Sequence, residues 1–106
     1  MSIIELKDFA SFNDALEKDM KSLLVIDFYA TWCEPCNYIA PYNVKLAEKN
    51  PTVKFYKVNV DKNKKISTKY KITAMPTILF IKEHVVLETI VGANMLEIEK
   101  TLSYFK

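Results

Sequence analysis

Ile3, Ile4 and Leu6 open the chain with the pattern of a short strand. Phe9, Phe12, Leu16 and Met20 then recur at helical spacing, with Asp8 or Ser11 as candidate N-cap. Leu23-Leu24-Val25-Ile26-Asp27-Phe28-Tyr29-Ala30 reads as a strand apolar on both faces, as in the middle of a covered sheet. A helix opens at Cys33 to Cys36 and runs to about Asn50, where Pro51 stops it. Val53, Phe55, Val58 and Val60 mark a second buried strand with a polarity switch at Lys57. Asp61 or Asn63 would cap a short lysine-rich helix ending near Tyr70. Strands 77–81 and 85–91 follow closely and predict an antiparallel pair around Glu83-His84. Asn94, with Glu97 three positions on, caps a last helix striped by Met95, Ile98, Leu102 and Phe105.

This order of elements predicts an α/β fold, a mixed sheet with helices on both faces. At 106 residues the chain reads as one domain, 1–106, long enough for a self-sufficient core. A net charge of +2 is too small to point to nucleic acid or a membrane as the main partner. The opening Met1 to Asp8 lacks a basic stretch followed by an apolar core, so it does not read as a secretory signal. The apolar run Leu23 to Ala30 is too short to span a bilayer. With both cysteines in one tight motif and no disulfide framework, a reducing compartment, the cytoplasm, is the expectation.

That motif, Trp32-Cys33-Glu34-Pro35-Cys36, carries the most specific chemistry in the chain. Two thiols one helical turn apart can alternate between dithiol and disulfide without a change of fold, one attacking and the other resolving. Cys33 is the candidate nucleophile, because free N–H groups at a helix N-terminus favour a thiolate. Cys36, one turn in, is expected to be less exposed and suits the resolving role. Pro35 fits the first turn, where its missing N–H has no partner to lose. The competing readings are a structural disulfide and a zinc site. A structural bridge usually closes a longer loop, and zinc takes four ligands where only His84 could add a soft one.

Asp27 inside an apolar strand needs a reason, since a buried carboxylate is costly unless neutralised or paired. It is either a functional group with a shifted pKa, a self-satisfied ion pair, or a residue meeting water at a strand edge. Pro76, just before a strand, suits a constrained turn, and Gly92, the only glycine, suits positive φ or a close backbone approach. Pro41 should kink the long helix. Lys62, Lys64, Lys65, Lys69 and Lys71 read as a solvated face, and His84 as a turn residue.

Taken in order, Val25-Ile26-Asp27-Phe28, the cysteine motif, Pro41, Lys57-Val58-Asn59-Val60-Asp61, Met75-Pro76-Thr77 and Val91-Gly92-Ala93-Asn94 resemble the thioredoxin family over essentially the whole length. The resemblance implies a thioredoxin fold, a central five-stranded mixed β-sheet flanked by four helices. It implies a protein-disulfide reductase in which Cys33 attacks, Cys36 releases the product, and Asp27 exchanges a proton with Cys36 while Lys57 moderates it. It further implies a cis bond at Met75-Pro76 and an apolar docking rim of Trp32, Ala74, Met75, Val91, Gly92 and Ala93, with Glu34, Pro35 and Pro76 also among the substrate-binding residues. Simple core packing is the competing reading for Met75 and Val91. No cofactor would be bound, electrons arriving from NADPH through thioredoxin reductase. Targets would be disulfide-containing proteins such as peroxiredoxins or ribonucleotide reductase, and the chain would act as a monomer in cell redox homeostasis. Proline rather than histidine before Cys36 argues against an oxidase or isomerase. A binding subunit that uses the docking surface without the thiols is the alternative from another class.

Glu34 stands where the family usually has glycine; Lys71 and Ala74 near the expected cis-proline, and Glu83-His84 where a glycine-containing turn is common, are further departures. A carboxylate in the first helical turn suits the macrodipole by about 0.3–1 kcal/mol. The same charge opposes a thiolate at Cys33 by about 0.5–1 kcal/mol at an exposed site. Glu34→Gly is therefore expected to lower the Cys33 thiol pKa and make the protein more oxidising by on the order of 10–20 mV. Thiol titration and equilibration against glutathione check this, and an unchanged or raised thiol pKa would sink it.

Overall fold

The computed structural model describes residues 3–106, so Met1 and Ser2, which open the segment read against a secretory signal, lie outside it. Nine elements run in the order β1 (Ile4–Glu5), α1 (Phe9–Lys18), β2 (Leu24–Tyr29), α2 (Glu34–Lys49), β3 (Lys54–Asn59), α3 (Lys64–Lys69), β4 (Thr77–Lys82), β5 (Val85–Val91), α4 (Met95–Phe105). The sheet has the strand order β1-β3-β2-β4-β5. β1 and β2 both pair parallel to β3, whereas β4 runs antiparallel to β2 and β5 antiparallel to β4.

β2 sits at the centre because its residues are apolar in both directions. Leu24, Ile26 and Phe28 pack with Phe12, Leu16, Val58, Ile66 and Leu79 on the face covered by α1 and α3. Val25 packs with Ile39, Leu46, Phe55, Phe80, Ile98 and Leu102 on the face covered by α2 and α4. The alternation of a strand puts Asp27 on this second face, under α2.

The helix ends follow local chemistry. Asp8 accepts the Ser11 amide at 2.7 Å and the Asp8 amide donates to Ser11 Oγ at 3.2 Å, a reciprocal cap that uses both candidates. α1 stops at Lys18, so Met20 falls outside it. Asn94 Oδ1 accepts the Glu97 amide at 3.1 Å. Asn63 occupies the cap position of α3 without capping, because its amide donates to Asn59 O at 3.0 Å instead. α2 continues unbroken through Pro41.

Lys82 and Val85 are joined by a two-residue turn in which Glu83 and His84 both have positive φ, 51° and 67°. Such turns match the twist of paired strands and favour Asn-Gly, because side chains with Cβ crowd the backbone in the left-handed region. The Glu83 and His84 side chains instead contact α1 and its exit, Glu83 with Lys21 Nζ at 3.2 Å and His84 Nε2 with Glu17 at 2.8 Å. Both are surface contacts, worth about 0–1 kcal/mol each. Replacing Glu83-His84 by Asn-Gly is expected to raise stability by about 1 kcal/mol. A guanidinium midpoint that falls would show that the contacts to α1 outweigh backbone relief.

Candidate active site

β2 delivers the chain to the cysteines at the tip of the sheet. Ala30 is fully buried and packs with Cys33 and Cys36, with Tyr29, Val60 and Met75 against them. The Cys33 amide donates to Ala30 O at 3.2 Å, turning the backbone into α2, and Asn37 Nδ2 donates to Thr31 O at 3.2 Å. Cys33 is itself the N-cap of α2, its extended backbone followed by Glu34 and Pro35 in the first turn. Its sulfur fills the place of a capping oxygen and accepts the Cys36 amide at 3.2 Å. Cys33 and Cys36 are joined as a disulfide, their Cα atoms 5.3 Å apart.

In this oxidised state the two cysteines are equally buried, so the expected difference in exposure between them is absent. The reason is the neighbours: Ala30 lies beneath both, and Met75 and Val60 pack against the pair. Trp32 is 68% exposed, its indole N–H held by Asp61 Oδ2 at 2.8 Å. Glu34, Pro35 and Ala74 are exposed, Met75 and Gly92 half-buried, and Val91 is 60% exposed. Core packing is thereby excluded for Val91. Met75 leans on the disulfide cluster and Ala93 on the α2/α4 core.

The Met75-Pro76 bond is cis, and Pro76 O accepts the Gly92 amide at 2.8 Å, joining the two loops beside the disulfide. Gly92 has φ 102° and open space where a Cβ would stand, so positive φ and not close approach explains the glycine.

Asp27 is buried and pairs in register with Lys57 on β3. Among the described residues no ion pair joins the two, and Lys57 Nζ lies over the Tyr29 ring, 5.7 Å from its centre. Neighbouring positions in parallel strands bring Cα atoms together without bringing the ends of long side chains together. Asp27 is therefore neither a self-satisfied ion pair nor a strand-edge residue. Its hydrogen-bond donor is Asn43 of α2, whose Nδ2 donates to Oδ2 at 3.3 Å, while Oδ1 has no partner among the described residues. Asn43 was not singled out in the sequence. The signal was a polar residue in the stripe Cys36, Ile39, Asn43, Leu46, Ala47, which the structure buries.

Burial pushes the Asp27 carboxyl up from 3.8 to about 6, with the Asn43 hydrogen bond and the Lys57 charge opposing it. A cavity of about 100 Å³ lined by Ile3, Asp27, Ala40, Asn43, Val44 and Lys57 gives water-sized access to this carboxyl. Among the described residues no cluster of three or more His, Cys, Asp or Glu could hold a metal, and no helix is long and apolar enough to cross a membrane.

A disulfide spanning the first turn of a helix, with a carboxyl of raised pKa on the strand beneath, defines a dithiol–disulfide exchange protein. The thioredoxin family model matches residues 3–104. Thioredoxin H-type 2 of Nicotiana tabacum is 41% identical over 103 residues, 95% of this chain and 87% of its own. Fasciola hepatica thioredoxin superposes with a TM-score of 0.96 at 38% identity, covering 98% of this chain and 100% of that one. A further neighbour, from a structure on the thiol-resolving mechanism of yeast mitochondrial 1-Cys peroxiredoxin via glutathione/thioredoxin systems, has a TM-score of 0.90 at 36% identity and covers 98% and 96%. The chain belongs to the thioredoxin family, and Cys33-Cys36 stands at that family's active-site position, making it a thiol–disulfide oxidoreductase that reduces protein disulfides.

The raised Asp27 pKa has a stability sign. The folded protein binds the Asp27 proton more tightly than the unfolded chain, so stability falls as pH rises from about 4 to 6. The shift of about two units corresponds to a penalty on the order of 3 kcal/mol, complete above the folded pKa and absent below 3.8. Asp27→Asn, isosteric with the protonated acid, is expected to stabilise the oxidised protein by on the order of 2–3 kcal/mol at pH 8 and little at pH 3.5. Denaturant midpoints at the two pH values check it, and an equal gain at both would remove ionisation as the cause.

Proposed function

We propose that Cys33 is the nucleophile, Cys36 the resolving thiol and Asp27 the group that exchanges a proton with Cys36, in one domain spanning residues 1–106. The observation that carries this reading is the N-cap position of Cys33. When the disulfide is reduced, the amide now donating to the Cys33 sulfur, together with the helix macrodipole, favours the thiolate. That thiolate attacks one sulfur of a substrate disulfide, and the other leaves as a thiol after taking up a proton. Asp27, ionised near neutral pH, accepts the proton of Cys36, whose thiolate then attacks Cys33 in the mixed disulfide and releases the reduced target. Lys57 acts on Asp27 through its charge alone.

Trp32, Glu34, Pro35, Ala74, Met75, Pro76, Val91, Gly92 and Ala93 form the docking surface. The exposed Trp32 and Val91 support it, as does the half-buried Met75 packed against the cysteines. Met75, packed against the disulfide cluster, suits short β-type pairing of its backbone with an extended target segment. Electron supply is NADPH through a thioredoxin reductase, so the chain works in electron transport as a cytoplasmic monomer with no bound cofactor. Family membership supports these assignments, as does the fact that both cysteines are committed to one exchange site. Peroxiredoxins and ribonucleotide reductase fit the target class. The peroxiredoxin setting of the structural neighbour supports the first.

Cys33→Ser is expected to reduce disulfide reduction to the uncatalysed rate, and Cys36→Ser to accumulate stable mixed disulfides through Cys33. Mass spectrometry of the trapped adducts checks the assignment. Adducts on Cys36 in the Cys33→Ser protein, with full turnover retained, would reverse the two roles.

A further inference from the structure

We propose that Asn43 is a positioning residue for the dithiol reaction, its side-chain amide holding the Asp27 carboxylate from the same helix face that carries Cys36. The inference rests on the reading of Asp27 as proton partner of Cys36. Asn43 is the one amide in an otherwise Cys, Ile, Leu and Ala stripe on α2, and it is 3% exposed. An apolar side chain would fill that place without the cost of burying an amide. Its Nδ2 donates to Asp27 Oδ2 at 3.3 Å.

The geometry ties this contact to the cysteines. Asn43 follows Cys36 by two helical turns, roughly 10 Å along the axis, and side chains on a helix lean toward its N-terminus. Asp27 precedes Ala30 by three residues, roughly 10 Å down the strand. The amide therefore meets the carboxyl below the disulfide and leans toward the turn that bears Cys36.

The other groups around Asp27 cannot replace this hold. Lys57 of β3 is turned over the Tyr29 ring. Tyr29 of β2 donates its hydroxyl to Glu5 of β1 at 2.8 Å. β4 places Ile78 opposite Asp27, and α2 adds the cysteines, which are uncharged as a disulfide. None of these contacts involves Asn43, so an altered Asp27 titration reports the amide. An amide donor favours the ionised carboxyl without the lasting neutralisation of a cation in contact, which leaves Asp27 free to take and return a proton.

The test follows the Asp27 carboxyl by NMR across pH in wild type, Asn43→Leu and Asn43→Gln, alongside the pH profile of disulfide reduction. Asn43→Leu is expected to raise the Asp27 midpoint by about one unit and to move the acid limb of the rate profile the same way. Asn43→Gln keeps the amide, has the adjoining cavity to take its extra methylene, and is expected to restore both. An unmoved midpoint in Asn43→Leu, or an equal shift in Asn43→Gln, would overturn the proposal. So would a rate-profile shift that persists when Asn43→Leu is placed in Asp27→Asn. A midpoint that moves while the rate profile stays fixed would leave the Asn43 hold standing and overturn the proton-transfer role of Asp27.

Discussion

Everything chemical in this molecule hangs from a strand that is covered on both sides. β2 buries Leu24, Ile26 and Phe28 against one helix layer and Val25 against the other, and it is paired along both edges. A strand so constrained has one register, since a slip of a single residue would turn its apolar set inside out. The same constraint that makes β2 rigid buries Asp27 and aims Ala30 at the start of α2. A perturbed carboxyl and a rigid platform for the disulfide are two results of one burial.

The second organising feature is that one sulfur of the redox pair is also structural. Helices need acceptors for their first amides, and α2 takes one of these from Cys33. The helix start and the disulfide thus share one contact, so the helix cannot begin elsewhere without losing the site. Glu34 and Pro35 suit this start, one by charge and the other by its missing donor.

Elements whose identity depends on local spacing were legible from the chain alone. The strand 23–30, the helix beginning at the cysteines and the antiparallel pair around Glu83-His84 lie within a residue or so of expectation. Cys33 and Cys36 stand joined at the start of α2, with Met75 packed against them. What escaped were matters decided by side-chain reach across elements. Lys57 stands opposite Asp27 in register yet sends its ammonium to an aromatic face, and no spacing rule foretells that choice. Asn43 is a seven-residue step from Cys36, and an isolated amide in a helical stripe reads as noise until the strand beneath it is known to carry an acid. The near-equal burial of the two cysteines likewise depends on Met75 and Val60, which arrive from other loops.

The chain has one glycine, and among the described residues three others, Lys71, Glu83 and His84, occupy the left-handed region. Glycine is the residue that gives a disordered polymer most of its local freedom. A chain nearly devoid of it samples fewer backbone states before folding and has less entropy to surrender. The strained turns of the folded protein are thus one side of an exchange whose other side lies in the unfolded ensemble, where no contact map would reveal it.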